Sequence, residues 1–439
     1  MKLTKSLLLA SVAGFAAVAS AQAADLPSKK AAPVEYVKVC PTYGPGFFYI
    51  PGTTTCLRVG GSIMAYGYGT TVWRQANDAV NSEVEARLFL DARDNTEYGL
   101  LRTYARVGYY RSSGGDDNSG SQPRRGQWFT GSVGNLQTGF SSSEAFAQLG
   151  GFLAGRTTSF AWVGLSATQF TTQNPTNGRV NQFAYTASLG NGMSVTGAVE
   201  DALELREGLS GATAQAPSRT PDGVVSFDVA QSWGTVKVAG VVHEVHVTGR
   251  DTVASSKTGY AVMGGLKVNL PSIAAGDNIQ VIGAYGVGAA GRTIGNTATD
   301  TASGTGGNYS YGVGRVNAGL YDGVQTATAL TLTKSYSYGA QFQHFFSPTV
   351  SAYVGGTYGK LDIPGTVQNT TTLRDIALWG AAVGIIWSPV SGLEINPEVA
   401  YRKATSSAVD AQSGNGAADL ANKKADDAMY YRLRVARSF

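Results

Sequence analysis

Beyond residue 23 the chain has no uninterrupted apolar run of the ~20 residues that a membrane-crossing helix requires, so a helical membrane protein is excluded. Histidine is scarce, at 3 residues: His243, His246 and His344. A hydrolytic site needs a nucleophile, a base and an orienting group brought together, and no such set stands out, so the chain does not read as an enzyme. No grouping of ligand-type side chains suggests a cofactor. Cysteine is rarer still, with Cys40 and Cys56 alone. In an exported chain such a pair defaults to a disulfide, whose closure in the chain-entropy model is worth ~3 kcal/mol. A two-cysteine metal site is the alternative, and it lacks a histidine or further cysteine nearby. Charge is low: 15% of residues, with a formal net of +4, of which Lys2 and Lys5 contribute two. A chain so near neutrality does not suggest a nucleic-acid partner.

Glycine, at 57, and tyrosine, at 22, are plentiful. With the Thr, Ser and Val content they favour strands and turns over helices. Residues 1–23 read as a secretory signal. Lys2 and Lys5 form the positive start, Leu7 to Ala19 the short apolar stretch, and Ala21-Gln22-Ala23 the small-residue cleavage site. A membrane anchor is the alternative, and the apolar stretch is short for one. Residues 24–56 are then expected to form an N-terminal periplasmic segment holding the Cys40–Cys56 pair, and 57–439 the folded body.

That body alternates. In "SEVEARLFLDAR" (82–93), Val84, Ala86, Leu88, Leu90 and Ala92 share one face; Glu83, Glu85, Arg87, Asp91 and Arg93 share the other, with Phe89 among them. In 258–270, Tyr260, Val262, Leu266, Val268 and Leu270 oppose Lys267 and Asn269. In 393–403, Leu393, Ile395, Val399 and Tyr401 oppose Glu394, Asn396, Glu398 and Arg402. Such segments are about ten residues long, the length of a tilted membrane-spanning strand. The core of a soluble sandwich would not accept Arg87, Asp91 and Arg93 on one strand unless that face were wet. Sixteen strands are predicted: 57–69, 82–93, 100–111, 142–149, 152–158, 179–188, 193–202, 222–231, 235–248, 258–270, 277–288, 334–345, 349–360, 375–387, 393–403 and 429–439. Tight turns alternate with long polar segments between them. The pattern predicts an all-β fold, a closed 16-stranded antiparallel transmembrane β-barrel with short periplasmic turns and long outer loops. The last strand, "MYYRLRVARSF", must close the barrel against the first, with Phe439 near the periplasmic interface.

Three stretches carry a family resemblance. "CPTYGPGFFYIPGTTTCLRVGG" (40–61), "AFAQLGGFLAGRTTSF" (145–160) and "LRVARSF" (433–439) resemble the start, the fourth-to-fifth strand region and the terminus of alphaproteobacterial, rhizobial-type outer-membrane general porins. The likeness extends at lower density over nearly all of the chain after the leader. It implies a homotrimer in the Gram-negative outer membrane, in contact with lipid and lipopolysaccharide. Its function would be passive diffusion of small hydrophilic solutes and ions. It also implies that the third loop, here 159–178, folds into the lumen, and that Arg87, Arg156 and Arg179 match the arginine cluster of the constriction. Periodicity alone adds Arg102 and Arg106 to a secondary pore wall, with Glu85 and Asp91 as inward carboxylates. The acid side of the usual constriction is missing, because no Asp or Glu lies between Arg156 and Arg179. That departure favours anions, unless Glu85 and Asp91 balance the arginines. These arginines could instead be plain solvated lumen residues or loop anchors.

Two motifs are set aside. "HEVH" (243–246) lies in a predicted strand, where residues three apart point to opposite faces, whereas zinc motifs of this kind need helical spacing. "GVGAAG" (286–291) ends a strand with no helix expected after it. The acidic pairs at 116–117 and 426–427 are expected in outer loops. A substrate-selective channel of the same architecture is the alternative function, followed by a barrel enzyme and an adhesin.

Overall fold

The computed structural model describes residues 38–71, 80–113, 127–133, 136–167, 178–201, 203, 205–206, 208–210, 219–247, 255–294, 309–313, 316–325, 329–364, 375–406 and 425–439. The expected leader, the segment up to residue 37, residues 168–177 of the third loop and the acidic pair at 116–117 lie outside them. Sixteen strands form one closed antiparallel barrel. They are β1 (Cys56–Thr70), β2 (Val80–Thr96), β3 (Gly99–Ser113), β4 (Leu136–Leu149), β5 (Phe152–Thr158), β6 (Arg179–Gly190), β7 (Met193–Glu200), β8 (Asp222–Gln231), β9 (Gly234–Val247), β10 (Ser255–Asn269), β11 (Asn278–Val287), β12 (Lys334–Ser347), β13 (Val350–Asp362), β14 (Ile376–Trp387), β15 (Leu393–Ser406) and β16 (Ala425–Ser438). Each pairs with the next, and β16 returns to β1. The short strands Phe48–Tyr49 and Gln127–Val133 add to β1 and β4. Among the described residues no helix is long and apolar enough to cross a membrane; the crossing is made by strands.

The period of two sorts the side chains. Val84, Leu88 and Leu90 of β2, Trp379, Val383 and Ile385 of β14, and Tyr431, Leu433 and Val435 of β16 stand outward and exposed. Their neighbours Glu83, Glu85 and Asp91, Asn396 and Glu398, and Arg432 stand inward and buried. Such a cylinder satisfies every backbone group within the sheet and offers lipid a mainly apolar band, which water would not tolerate over so large an area.

Several strands run past their expected ends: β2 reaches Val80 and Thr96, and β4 begins at Leu136. Hydrogen-bonded pairing continues beyond the apolar band, where both faces are wet and alternation no longer marks a strand. For the same reason the acidic pair at 426–427 is in β16, in register with Ala404 and Lys403, and not in a loop. A second expectation is also corrected. A single helical turn, Ala290–Thr293, begins within "GVGAAG".

Short turns join the strands at the end where the chain terminates. In the turn between β6 and β7, Asn191 has φ 50° between Gly190 at 81° and Gly192 at 70°. A Cβ on Gly192 would sit 2.0 Å from the Ala230 carbonyl oxygen, so only glycine lets the turn lie against the next strand. Closure also depends on glycine. The amide of Gly61 donates to the Phe439 carbonyl at 3.1 Å, and the Phe439 amide donates to the Gly61 carbonyl at 3.0 Å. The ring of Phe439 lies where a Gly61 side chain would be.

Ahead of β1, Cys40 and Cys56 are joined by a disulfide, with Cα atoms 5.9 Å apart. They form a small core with Phe47, against which Tyr43 and Tyr49 pack. Arg93 of β2 lies over the Phe47 ring at 4.8 Å, and the Thr55 hydroxyl donates to Asp94 at 2.9 Å. The segment is thereby seated on the short-turn end of β2.

Candidate pore constriction

After β5 the chain does not rise outward but turns into the barrel. Ser159–Trp162 make a tight turn, in which the Trp162 amide donates to the Ser159 carbonyl at 3.0 Å, and the chain then follows the inner wall to Ala167 with its residues alternating. Ala161, Val163, Leu165 and Ala167 are buried against the wall, while Trp162 is 36% exposed. The wall they meet is apolar. Ala184 of β6, Ala198 of β7, Val224 of β8, Val241 of β9, Met263 of β10 and Ile282 of β11 all face inward here. Burying side chains of this size is worth ~1.5–3 kcal/mol for each Val or Leu, enough to hold a short loop segment on the wall. The loop amides beyond Leu165 find side-chain acceptors: Ser166 donates to Gln280 Oε1 at 3.1 Å and Ala167 to Gln341 Oε1 at 3.0 Å. The described part of the loop is uncharged.

The arginines belong mainly to the sector β2–β6. On β2, Arg87 donates to Glu85, two residues back on the same face, through Nε at 2.7 Å and Nη2 at 2.8 Å. Glu144 of β4 forms ion pairs with Arg106 of β3 at 3.1 Å and Arg179 of β6 at 3.3 Å. Arg87, Arg106 and Arg179 are near enough to one another for mutual repulsion, with Glu144 in their midst. Arg156 stands apart from this group. It is half-buried on β5, its cross-strand neighbours being Ala145 and Asn181, both exposed to the outside. Gly155 before it has φ 135°, a break in the pleat at the root of the loop.

Asp91 and Arg102 form a second layer towards the short turns. Asp91 accepts two bonds from Arg93, at 3.0 and 2.7 Å, and two from Arg102, at 2.9 and 3.0 Å. Between the layers runs an inward row of rings: Phe89 to Tyr104 with centroids 6.0 Å apart, and Tyr104 to Phe146 at 5.4 Å. The Arg102 guanidinium lies over Tyr104 and Phe146, at 5.1 and 5.2 Å.

Sequence reasoning passed over Glu144 and the ring row. The signal for Glu144 was there, since Glu144, Phe146 and Gln148 share a phase opposite Ala145, Ala147 and Leu149. The "HEVH" residues divide as strand geometry requires. His243 is inward and bonded to Asp222 at 2.7 Å, while Glu244 faces out, paired with Arg219.

The family model described as Porin subfamily matches residues 25–430. Porin Omp2b of Brucella suis biovar 1 is 33% identical over 248 residues, covering 54% of this chain and 65% of that protein. Porin Omp2a of Brucella ovis is 31% identical over 277 residues, covering 57% and 76%. The match thus spans a little under two thirds of the Omp2b length. Among solved structures, the outer membrane channel DcaP of Acinetobacter baumannii superposes with a TM-score of 0.62 at 13% identity, over 89% of this chain and 99% of that one. At that identity the likeness is one of fold.

Proposed function

Since the chain belongs to the porin subfamily and is an outer-membrane β-barrel, we propose that it forms a water-filled channel for passive diffusion of small hydrophilic solutes and ions across that membrane. The observation that carries the reading is the Ser159–Ala167 segment laid on the β6–β11 wall inside a closed barrel whose inward side chains on β2–β4 are charged, as a wet lumen requires. Arg87, Arg106 and Arg179 line the narrowed zone. Across both layers five inward arginines, Arg87, Arg93, Arg102, Arg106 and Arg179, stand against four carboxylates, Glu83, Glu85, Asp91 and Glu144, and the third loop adds no acid. The surplus of positive charge raises the local anion concentration and makes the pore anion-preferring. Arg156 serves as an anchor at the loop root. Asp91 holds both Arg93 and Arg102 against the wall and leaves this layer with one positive charge. The functional unit is a trimer, as is usual in this family.

Planar-bilayer recording of purified protein under a KCl gradient tests this. Stepwise conductance with a reversal potential of anion-selective sign is expected. No conductance steps would overturn the channel, and a cation-selective sign would overturn the assignment of the arginines. A second reading, a channel selective for one class of solute, draws on the Phe89–Tyr104–Phe146 row, whose π faces beside Arg102 suit planar anions. Saturable block of the ion current by an aromatic carboxylate, but not by acetate, would favour it.

A further inference from the structure

Behind the constriction loop lies a group of buried charges that the diffusion pathway does not use. Glu200 ends β7, Asp222 begins β8, His243 is on β9, Asp322 is on the strand Val316–Gln325, and Arg292 is on the helical turn Ala290–Thr293. None is more than 3% exposed. Arg292 reaches both strand ends. Its Nη1 donates to Glu200 at 2.7 Å, and its Nη2 and Nε donate to Asp222 at 2.6 and 3.2 Å. The same Nη1 donates to the Ser159 hydroxyl at 3.1 Å. That hydroxyl donates to Glu200 at 2.9 Å and accepts the Ala161 amide at 3.1 Å, while the Phe160 amide donates to Glu200 at 3.1 Å. Three consecutive residues at the root of the constriction loop therefore hang from the Glu200–Arg292 pair.

The turn that carries Arg292 is itself seated firmly. The Ala290 amide donates to Asp322 at 2.7 Å, Thr293 bonds Ser335 of β12 at 2.5 Å, and Ala290, Thr293 and Ile294 are wholly buried. Buried ion pairs seldom add net stability over apolar packing of the same volume, but they tie groups to one geometry, since any displacement leaves a charge unpaired in a dry site. This rests on the channel reading above. We propose that Arg292 is a positioning residue for the constriction: the loop between β11 and β12 latches the third loop in place through Ser159 and Glu200, and so sets the width of the pore.

The test compares wild type, R292M, R292K and S159A as folded barrels in planar bilayers. Each is also made with W162C and a nitroxide label, the two native cysteines being joined to each other. In R292M and S159A the single open level should break into flickering sublevels, and the label should become more mobile. R292K should restore both towards wild type. A purely structural Arg292 would lower the heat resistance of R292M and leave the open level and label mobility as in wild type, which would overturn the latch. Should R292M not fold, S159A decides alone, because it removes the hydroxyl that joins the loop root to Arg292 and Glu200, leaving only the Phe160 amide on Glu200, and unpairs no charge; wild-type behaviour there would also overturn the latch. A wild-type barrel that conducts nothing would refute the channel reading, while label mobility would still decide the latch.

Discussion

The carboxylate of Glu144 lies 3.3 Å from Nε of Arg179, although β5 runs between their strands. The same carboxylate is 3.1 Å from Arg106. One acid thus offsets two cations on the inner face of β3–β6, and its removal releases both. In water-like surroundings a unit charge ~8 Å from a passing ion contributes about 0.5 kcal/mol, which salt with a Debye length of ~10 Å reduces to about 0.2 kcal/mol; acting with opposite sign on anion and cation, it changes their local ratio roughly twofold. E144Q should therefore raise the anion-to-cation permeability ratio about twofold, and R179Q should lower it to a similar extent. Reversal potentials under a salt gradient measure both.

The exchange of hydrogen bonds between Gly61 and Phe439 makes closure sensitive to any side chain at position 61. A Cβ there would lie 2.6 Å from the Arg87 carbonyl oxygen and 2.8 Å from the Phe439 ring, whereas at Gly67, on the same strand, nothing lies within 4 Å. G61V should cost about 1–3 kcal/mol by overpacking, and G67V far less. The temperature at which the folded barrel band converts to the unfolded one on SDS gels compares the two.

Loss of the Cys40–Cys56 bond should free the segment that rests on Arg93 and Asp94. The C40S/C56S double variant should lose about 3 kcal/mol at most, since the strand pairing of β1 is unaffected. Wild type in reductant should behave like the variant, and the variant should be insensitive to reductant. Heat denaturation with and without dithiothreitol reads this.

A pH effect is expected at the turn between β10 and β11. Loss of water around Asp277 disfavours its ionised form. Hydrogen bonds from the His344 ring and the Phe345 amide, both at 2.7 Å, outweigh that and hold its carboxyl below the usual carboxylate range. A lowered folded-state pKa gives stability that is complete above the unfolded value, about 3.9, and is lost as pH falls through the folded one. The heat-resistance gap between wild type and D277N should shrink as pH falls below about 4. A gap that went on widening below that pH would contradict the assignment.

Much of this was legible along the chain. Leu88 against Arg87, or Val435 against Arg434, marks a two-faced strand because lipid and water sort side chains at a period of two, wherever the strand lies in the barrel. The order and number of the sixteen strands follow from that sorting. The ends of β2 and β4 did not, because outside the lipid both faces are wet. Arg87 was legible as an inward cation from its place among Glu83, Glu85 and Asp91, whereas its place in a constriction, and that of Arg179, came only through family likeness. Glu144 was legible by its phase with Phe146 and Gln148, but its partners were not, because Arg106 and Arg179 lie on other strands far along the chain.

By itself the sequence determined the closed barrel, its inside and outside, and the side on which its ends meet, since each is a local property of alternation, turn residues and an aromatic terminus. Only the tertiary structure decided which charges meet: Glu144 with Arg106 and Arg179, and Arg292 with Glu200, Asp222 and Ser159. The reason is distance along the chain. Arg292 and Ser159 are brought within 3.1 Å by the curvature of a wall built from the strands between them, and no local pattern records that curvature.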